Sequence, residues 1–434
     1  MNDLVEARRD VPSREGAARN SAAVFAAQGL GGALTFASTL VTLHVLRRPD
    51  FGILAAAFAF IDPIRTLSNL GVDAVGVRRA AVKREDLPRV TGSLLLLRTV
   101  LACFAVLVAV VASLLLRAEA PGGSQTTMAA ALVILPAAFS GTFQVPFQAT
   151  QSMQRLLGVP LLVASIQLTT TLTLAKLGAP VIMFAAIPAL AEIANAYATR
   201  HLAQKILNAP LVGDVRLAKD MLREGLALAY VSIVVVVYTR GGYFVLEALP
   251  GHTVEERSSF VADLGAANNL IAPLLLLGAA LFVSFTTYCA HLVAEARFEE
   301  FRAYFVSFVR KALFYLVPVA IAAVFAIPPI LRMWKPEYEG AGRAFRYLAF
   351  GGIAMLLCQV SSACLIALER ARVIAWLATL NIAVFFAIAM PLAPSMHAEG
   401  VAIATCAMET LNAILQVGIV FAILNQRIKE GRVH

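Results

Sequence analysis

The chain has 434 residues, 59% of them hydrophobic and only 15% charged, with a formal net charge of +9. A soluble domain carries about 25% charged residues, so this composition excludes a soluble enzyme or binding module. In so apolar a chain the basic excess points to membrane topology and anionic headgroups, and nucleic acid is not expected as a partner. A bilayer core of about 30 Å takes about 20 apolar residues in helical form, and lipid leaves no backbone group unpaired. The apolar runs are long and continuous, so the fold class is all-α and polytopic.

Taken in chain order, spans are predicted at 21–46, 51–74, 91–116, 127–149, 157–176, 179–199, 225–246, 259–290, 311–331, 342–367, 371–393 and 399–424. Gly178 and Pro180 break the fifth from the sixth. Basic islands at Arg8–Arg19, Arg78–Arg89 and Arg200–Arg223 fall on one side, with smaller groups at Arg47–Arg48 and Arg332–Arg346 on the other. The positive-inside rule then places both termini in the cytoplasm, and the expected location is the cytoplasmic (inner) membrane. The expected domains are a segment 1–20, an N-lobe 21–199, a linker 200–224, a C-lobe 225–424 and a tail 425–434. External connections are short, which disfavours a membrane glycan polymerase or transferase.

Two halves that each hold an even number of spans enter the membrane in the same sense. A shift of 210 positions lays FGILAAAFAFIDPIRTL (Phe51–Leu67) on VADLGAANNLIAPLLLL (Val261–Leu277), matching Leu54, Ala56, Ala57, Ile61, Pro63 and Leu67.

The pattern RRPDFGILAAAFAF, followed by LSNLGVDAVGVRRAA, resembles the start of oligosaccharide flippases of the multidrug/oligosaccharidyl-lipid/polysaccharide (MOP) exporter superfamily. In the second half, ILRMWKPEYEGAGRAF and the basic turn before IAWLATLNIAV are similar to the same family, as is the ending HAEGVAIATCAMETLNAI. The resemblance implies two six-helix lobes that carry a prenyl-diphosphate-linked oligosaccharide, such as an O-antigen or exopolysaccharide repeat unit, from the inner to the outer leaflet. It also implies polysaccharide polymerase or assembly machinery as a partner, besides membrane lipids. Where the family often has an acidic residue in the seventh span, this chain has Arg240. A drug/cation antiporter of the same superfamily is the rival reading.

Such a substrate needs cations for its diphosphate and hydrogen-bond partners for its sugars. Arg65, Arg98 and Arg240 lie within spans, where a charge costs about 2.5–3.5 kcal/mol and usually faces an interior or a wet cavity; arginine also binds phosphate bidentately. The plainer expectation pairs Arg65 with Asp62 and sends Arg98 to the interface or to Asp73. Ser140, Gln144, Gln148 and Gln151 recur on one helical face, as do Gln28, Thr35, Ser38 and Thr42, and Thr405, Glu409, Asn412 and Gln416. These stripes suit either a cavity wall or helix–helix contacts. Ser140, Gln144, Gln148, Asn412 and Gln416 are the expected sugar-binding residues. Buried acids suit ion coupling, by proton or sodium: Glu409 first, then Asp62 and Asp263, which has Arg240 as a candidate partner, with Glu192 a weaker candidate. The five cysteines lie apart in apolar runs with no Cys-x-x-Cys, so neither a disulfide framework nor a metal site is expected. With no phosphate loop, zinc motif or nucleophile elbow, no cofactor and no enzymatic activity are expected.

Overall fold

The computed structural model describes residues 14–117, 122–150 and 152–431, and every regular element among them is helical. Helix α1 (Arg14–Val45) is followed by α2 (Arg48–Leu67), which starts with Pro49 in its first turn, where no intrahelical N–H is needed. The second span is broken. Leu70 (φ 42°) and Gly71 (φ 73°) turn the chain through the left-handed region, and α3 (Val72–Val82) leaves at 42° to α2. Only glycine takes that backbone without strain, and Leu70 is held there by its neighbours. Helix α4 (Leu87–Leu116) turns Val100, Phe104, Leu107, Val111 and Leu114 outward at alternating steps of four and three, a stripe fit for lipid.

The fourth span is also interrupted, into α5 (Gly123–Ala131) and α6 (Ile134–Ala149). Helices α7 (Gly158–Lys176) and α8 (Val181–Leu207) meet at a turn through Gly178 (φ 61°) and Pro180, where the sequence predicts the break. Helix α9 (Val215–Glu247) is capped by the Asp214 carboxylate, which accepts from the N–H groups of Arg216 and Leu217 at 2.8 and 3.2 Å. Helix α10 (Val254–Ala294) opens on a reciprocal cap. The Thr253 N–H donates to the Glu256 carboxylate and the Glu256 N–H to the Thr253 hydroxyl. Helices α11 (Phe298–Trp334) and α12 (Glu339–Ala367) follow, and the run Ala371–Gly431 breaks at His397 (φ 49°) into α13 (371–396) and α14 (398–431). The last two fold back on each other, since Asn381 and Glu409 line one cavity.

We call α1–α8 the first lobe and α9–α14 the second. Among the described residues, seven helices, or eight counting the bent α2–α3 pair as one span, are long and apolar enough to cross a membrane, so the bundle is all-α and polytopic. The lobes meet where α2 packs on α9 and α10, α1 on α10, and α3 and α4 on α9. The internal repeat now has a physical meaning. Leu54, Ala56, Ala57 and Ile61 are buried on α2, and their matches Leu264, Ala266, Ala267 and Ile271 are buried on α10. Repeat-related helices thus press against each other across the seam, and small residues let them approach closely.

The seam is closed on the face opposite the termini. Arg48 bonds Asp263 at 2.6 Å, with the Asp263 side chain only 5% exposed. Gly52 lies so close to the Ser258 carbonyl that no side chain fits between them, and Gly340 packs likewise on the Asp263 carboxylate. His44 stacks on Trp334, Phe51 meets Tyr338 edge-on, and Arg117 pairs with Glu247. Cys289, Cys358 and Cys364 are buried as small apolar residues, whereas Cys103 faces outward among the lipid-facing side chains of α4.

Candidate functional site

Three polar places occupy this apolar frame. The first lies on the seam itself. Asp62 of α2 receives Arg240 of α9 at 2.6 Å and Arg65, one turn along its own helix, at 3.4 Å. Two guanidinium groups against one carboxylate leave a surplus positive charge. The arginines are also not enclosed, with side chains 38% exposed for Arg240 and 47% for Arg65. Arg240 sits 5.9 Å from the Tyr243 ring centre, and the Tyr243 hydroxyl accepts a 3.0 Å bond from Asn268 of α10. Open N–H groups on two lobes can therefore grip one anion between them.

The second place is a cavity of about 200 Å³ beside the seam, walled by α1, α2, α7 and α8 and reached by Asn269 of α10. The α1 stripe lines it through Thr35, Ser38 and Thr42, and α7 faces them with Gln167 and Thr171. Ser38 and Thr171 share a 2.7 Å hydrogen bond. This stripe therefore serves both as cavity wall and as a tie between helices.

The third is a cavity of about 570 Å³ inside the second lobe, between α9, α12, α13 and α14. Glu409, Asn412 and Gln416 of α14 line it, facing Ser362 of α12 and Asn381 of α13. Ser362 donates to Gln416 at 2.8 Å, and Gln416 to Asn412 at 3.0 Å. The Cys358 thiol points at the Glu409 carbonyl oxygen, 3.7 Å away.

Other expected residues lie elsewhere. Arg98 is buried against Asp73 through bonds of 2.9 and 3.1 Å, and Gly141 leaves the room its guanidinium fills. That is the Asp73 pairing foreseen as the plainer alternative. Asp263 meets Arg48, not Arg240, because α2 begins opposite the outer turns of α10 whereas Arg240 lies deeper along the seam. Ser140 donates to Glu192 at 2.8 Å, as Asn195 does at 2.9 Å, closing a tie between α6 and α8. Gln144 is half-buried and Gln148 exposed, and neither lines the cavities above. Gln151 and the Gln28 side chain lie outside the described residues. Residues not singled out from sequence but placed here by the fold are Gln167, Thr171, Asn268, Asn381 and Ser362. Each lies in a largely apolar run, and only its partner on a distant helix distinguishes it.

The polysaccharide biosynthesis protein family model matches residues 17–288, and the MatE model matches residues 232–394. No curated protein sequence matches the chain. Among solved structures, the inward-facing form of a multidrug resistance MATE family transporter of the MOP superfamily superposes with a TM-score of 0.67. It is 14% identical and covers 94% of this chain and 96% of its own. A MOP superfamily transporter from Pyrococcus furiosus has the same TM-score, identity and coverage. An outward-facing MATE transporter superposes with a TM-score of 0.61 at 13% identity, over 94% of this chain and 96% of that one. At such identities the likeness speaks for the fold, whereas the first family model spans more than half of the sequence. The chain therefore belongs to the polysaccharide biosynthesis protein family and is a multi-pass membrane transporter of the MOP superfamily.

Proposed function

We propose that the chain is a flippase that carries a prenyl-diphosphate-linked oligosaccharide from the inner to the outer leaflet of the cytoplasmic membrane. The single observation that carries this reading is the Arg65–Asp62–Arg240 cluster, a half-open cationic group contributed by both lobes at their seam. A diphosphate is an anion with oxygens enough for two guanidinium forks. The termini-bearing face, with most of the Lys and Arg, is the cytoplasmic one. In this reading the diphosphate displaces Asp62 from the arginines while sugar hydroxyls meet the Thr, Ser, Gln and Asn walls of the adjoining cavity. Parting of the Arg48–Asp263 side then opens the path outward, and the prenyl tail stays in lipid. Glu409 is the group that couples this rocking to an ion gradient, because it is the ionisable centre of the network in the second lobe.

Leaflet-specific lectin labelling of the lipid-linked glycan tests the proposal. Cells with the wild-type chain should label from outside, and cells with Arg240→Ala should accumulate inner-leaflet glycan. Unchanged glycan together with heightened dye sensitivity would instead favour a drug antiporter, the reading suggested by the MatE match.

A further inference from the structure

On the termini-bearing face a pocket of about 440 Å³ lies between α3, α4 and the first turns of α9, lined by Arg78, Arg79, Lys83 and Arg89 together with one acid, Asp86. Glu224 of α9 takes both Arg78 and Arg79, and Asp214, the α9 cap, takes Arg89. Lys83 is exposed and makes no ion pair among the described residues. Beside the pocket, Arg216, Lys219 and Arg223 recur at steps of three and four along α9, so they share a face, and all three are exposed. Large apolar side chains stand bare among these cations: Val82 is 78% exposed and Val215 67%. A surface that mixes bare valines with four cations and fewer acids next to spans suits neither water nor hydrocarbon. It suits the layer where lipid phosphates meet the first methylenes of their chains.

We infer that this pocket is a binding site for the phosphate of an anionic phospholipid, with Lys83 and Arg89 as its principal donors and Val82 against the glycerol and acyl chain. The site joins the lobes, because its arginines sit on α3 and α4 while the carboxylates that hold them belong to α9 and its cap. A phosphate oxygen competes with Asp214 and Glu224 for the same guanidinium groups. Lipid occupancy therefore bears on how tightly α9 is tied to the first lobe, and any effect of lobe position on lipid affinity must be reciprocal. The cluster is separate from Arg65 and Arg240, so this inference stands or falls independently of the transported substrate.

Native mass spectrometry of the detergent-purified full chain, titrated with phosphatidylglycerol or phosphatidylcholine, reads the site directly. The wild type should prefer phosphatidylglycerol, and Lys83→Gln should weaken that preference about fivefold, the worth of one cation near a lipid surface. Lys83→Arg should retain it, and Arg427→Gln, a charge removed elsewhere on the same face, should leave it unchanged. Lys83 is exposed and outside any ion pair, so its replacement leaves the fold intact, and Arg89→Gln is the stronger second variant. Equal binding of the two lipids, or an equal loss in Lys83→Gln and Arg427→Gln, overturns the site. So does a loss in Lys83→Gln seen only with a prenyl diphosphate and not with phosphatidylglycerol, which would make the pocket a substrate-loading site.

Discussion

Replacing Arg48 by alanine should open the face opposite the termini. In the closed seam the Asp263 carboxylate would lose its cation and stay buried beneath Gly340. Orphaning one partner of a buried pair costs about 3–5 kcal/mol. Here Arg48 is 27% exposed, so water screens part of the pair, and about 2–3 kcal/mol is the better figure. Because the pair bridges the lobes, this loss falls on the closed arrangement alone and shifts the closed-to-open ratio about 30- to 150-fold. Asp263→Asn should do less, about fivefold, since Arg48 can swing into water while the amide keeps the packing. The double variant should cost less than the sum of the two, because no buried charge is left unpaired. The assay is the rate at which a membrane-impermeant maleimide labels Ser258→Cys in a chain otherwise free of cysteine. Ser258 is buried under Gly52 while the seam is shut. Rates within twofold of the parent in both single variants would refute the reasoning.

Other outcomes follow from the same contacts. Gly52→Ala drives a methyl group into the Ser258 carbonyl and should lower the melting temperature or prevent closure, whereas Gly29→Ala, with open space around it, should be silent by the same melt. Arg89, with the α9 backbone N–H groups, holds the Asp214 carboxyl below its ordinary value, and Arg79 does the same for Glu224. A depressed folded-state value means this stabilisation is complete above the ordinary carboxylate range, near pH 4, and is lost as pH falls through the lowered values. Melting curves should therefore drop on the acid side, and less steeply in Asp214→Asn. Glu409→Gln keeps the shape of the second lobe's network but removes its ionisable group. It should flatten the pH dependence of transport while substrate binding persists, and an unaltered profile would remove Glu409 from the coupling.

The all-α, polytopic character was legible because lipid forces each span into a long apolar helix, and the predicted ends agree with the helices to within a few residues for α4 and α7. The bend at Leu70–Gly71 was not: the predicted span runs unbroken from 51 to 74, and only the packing of α9 against that turn explains a leucine at positive φ. Faces were harder than spans. A helix in lipid is apolar on its outer side as well as its inner, so hydrophobic periodicity does not reveal which way a lone polar residue points. The stripes of α1 and α14 escaped this limit, because several polar residues repeated at helical spacing and a cavity lies beside each. The α6 stripe met it: Ser140 turns to Glu192, while Gln144 and Gln148 stand apart. Pairs such as Arg48–Asp263 and Arg117–Glu247, each well over a hundred positions apart, depend on the axial register of neighbouring helices, which no local pattern encodes. Asp62 and Arg65 were visible as a pair from their spacing, but the arrival of Arg240 at the same carboxylate required the seam.

In the proposed mechanism Arg65 and Arg240 form an anion grip restrained by Asp62, and equilibrium binding of a short-chain prenyl diphosphate to the purified full chain reads that grip out. Arg240→Ala should weaken binding about 10- to 100-fold, as for the loss of a hydrogen bond to a charged group, with Arg240→Lys in between because its ammonium cannot bind bidentately. Asp62→Asn should tighten binding, since it frees both guanidinium groups from their competitor. Weaker binding in Asp62→Asn, or wild-type affinity in Arg240→Ala, would contradict the account.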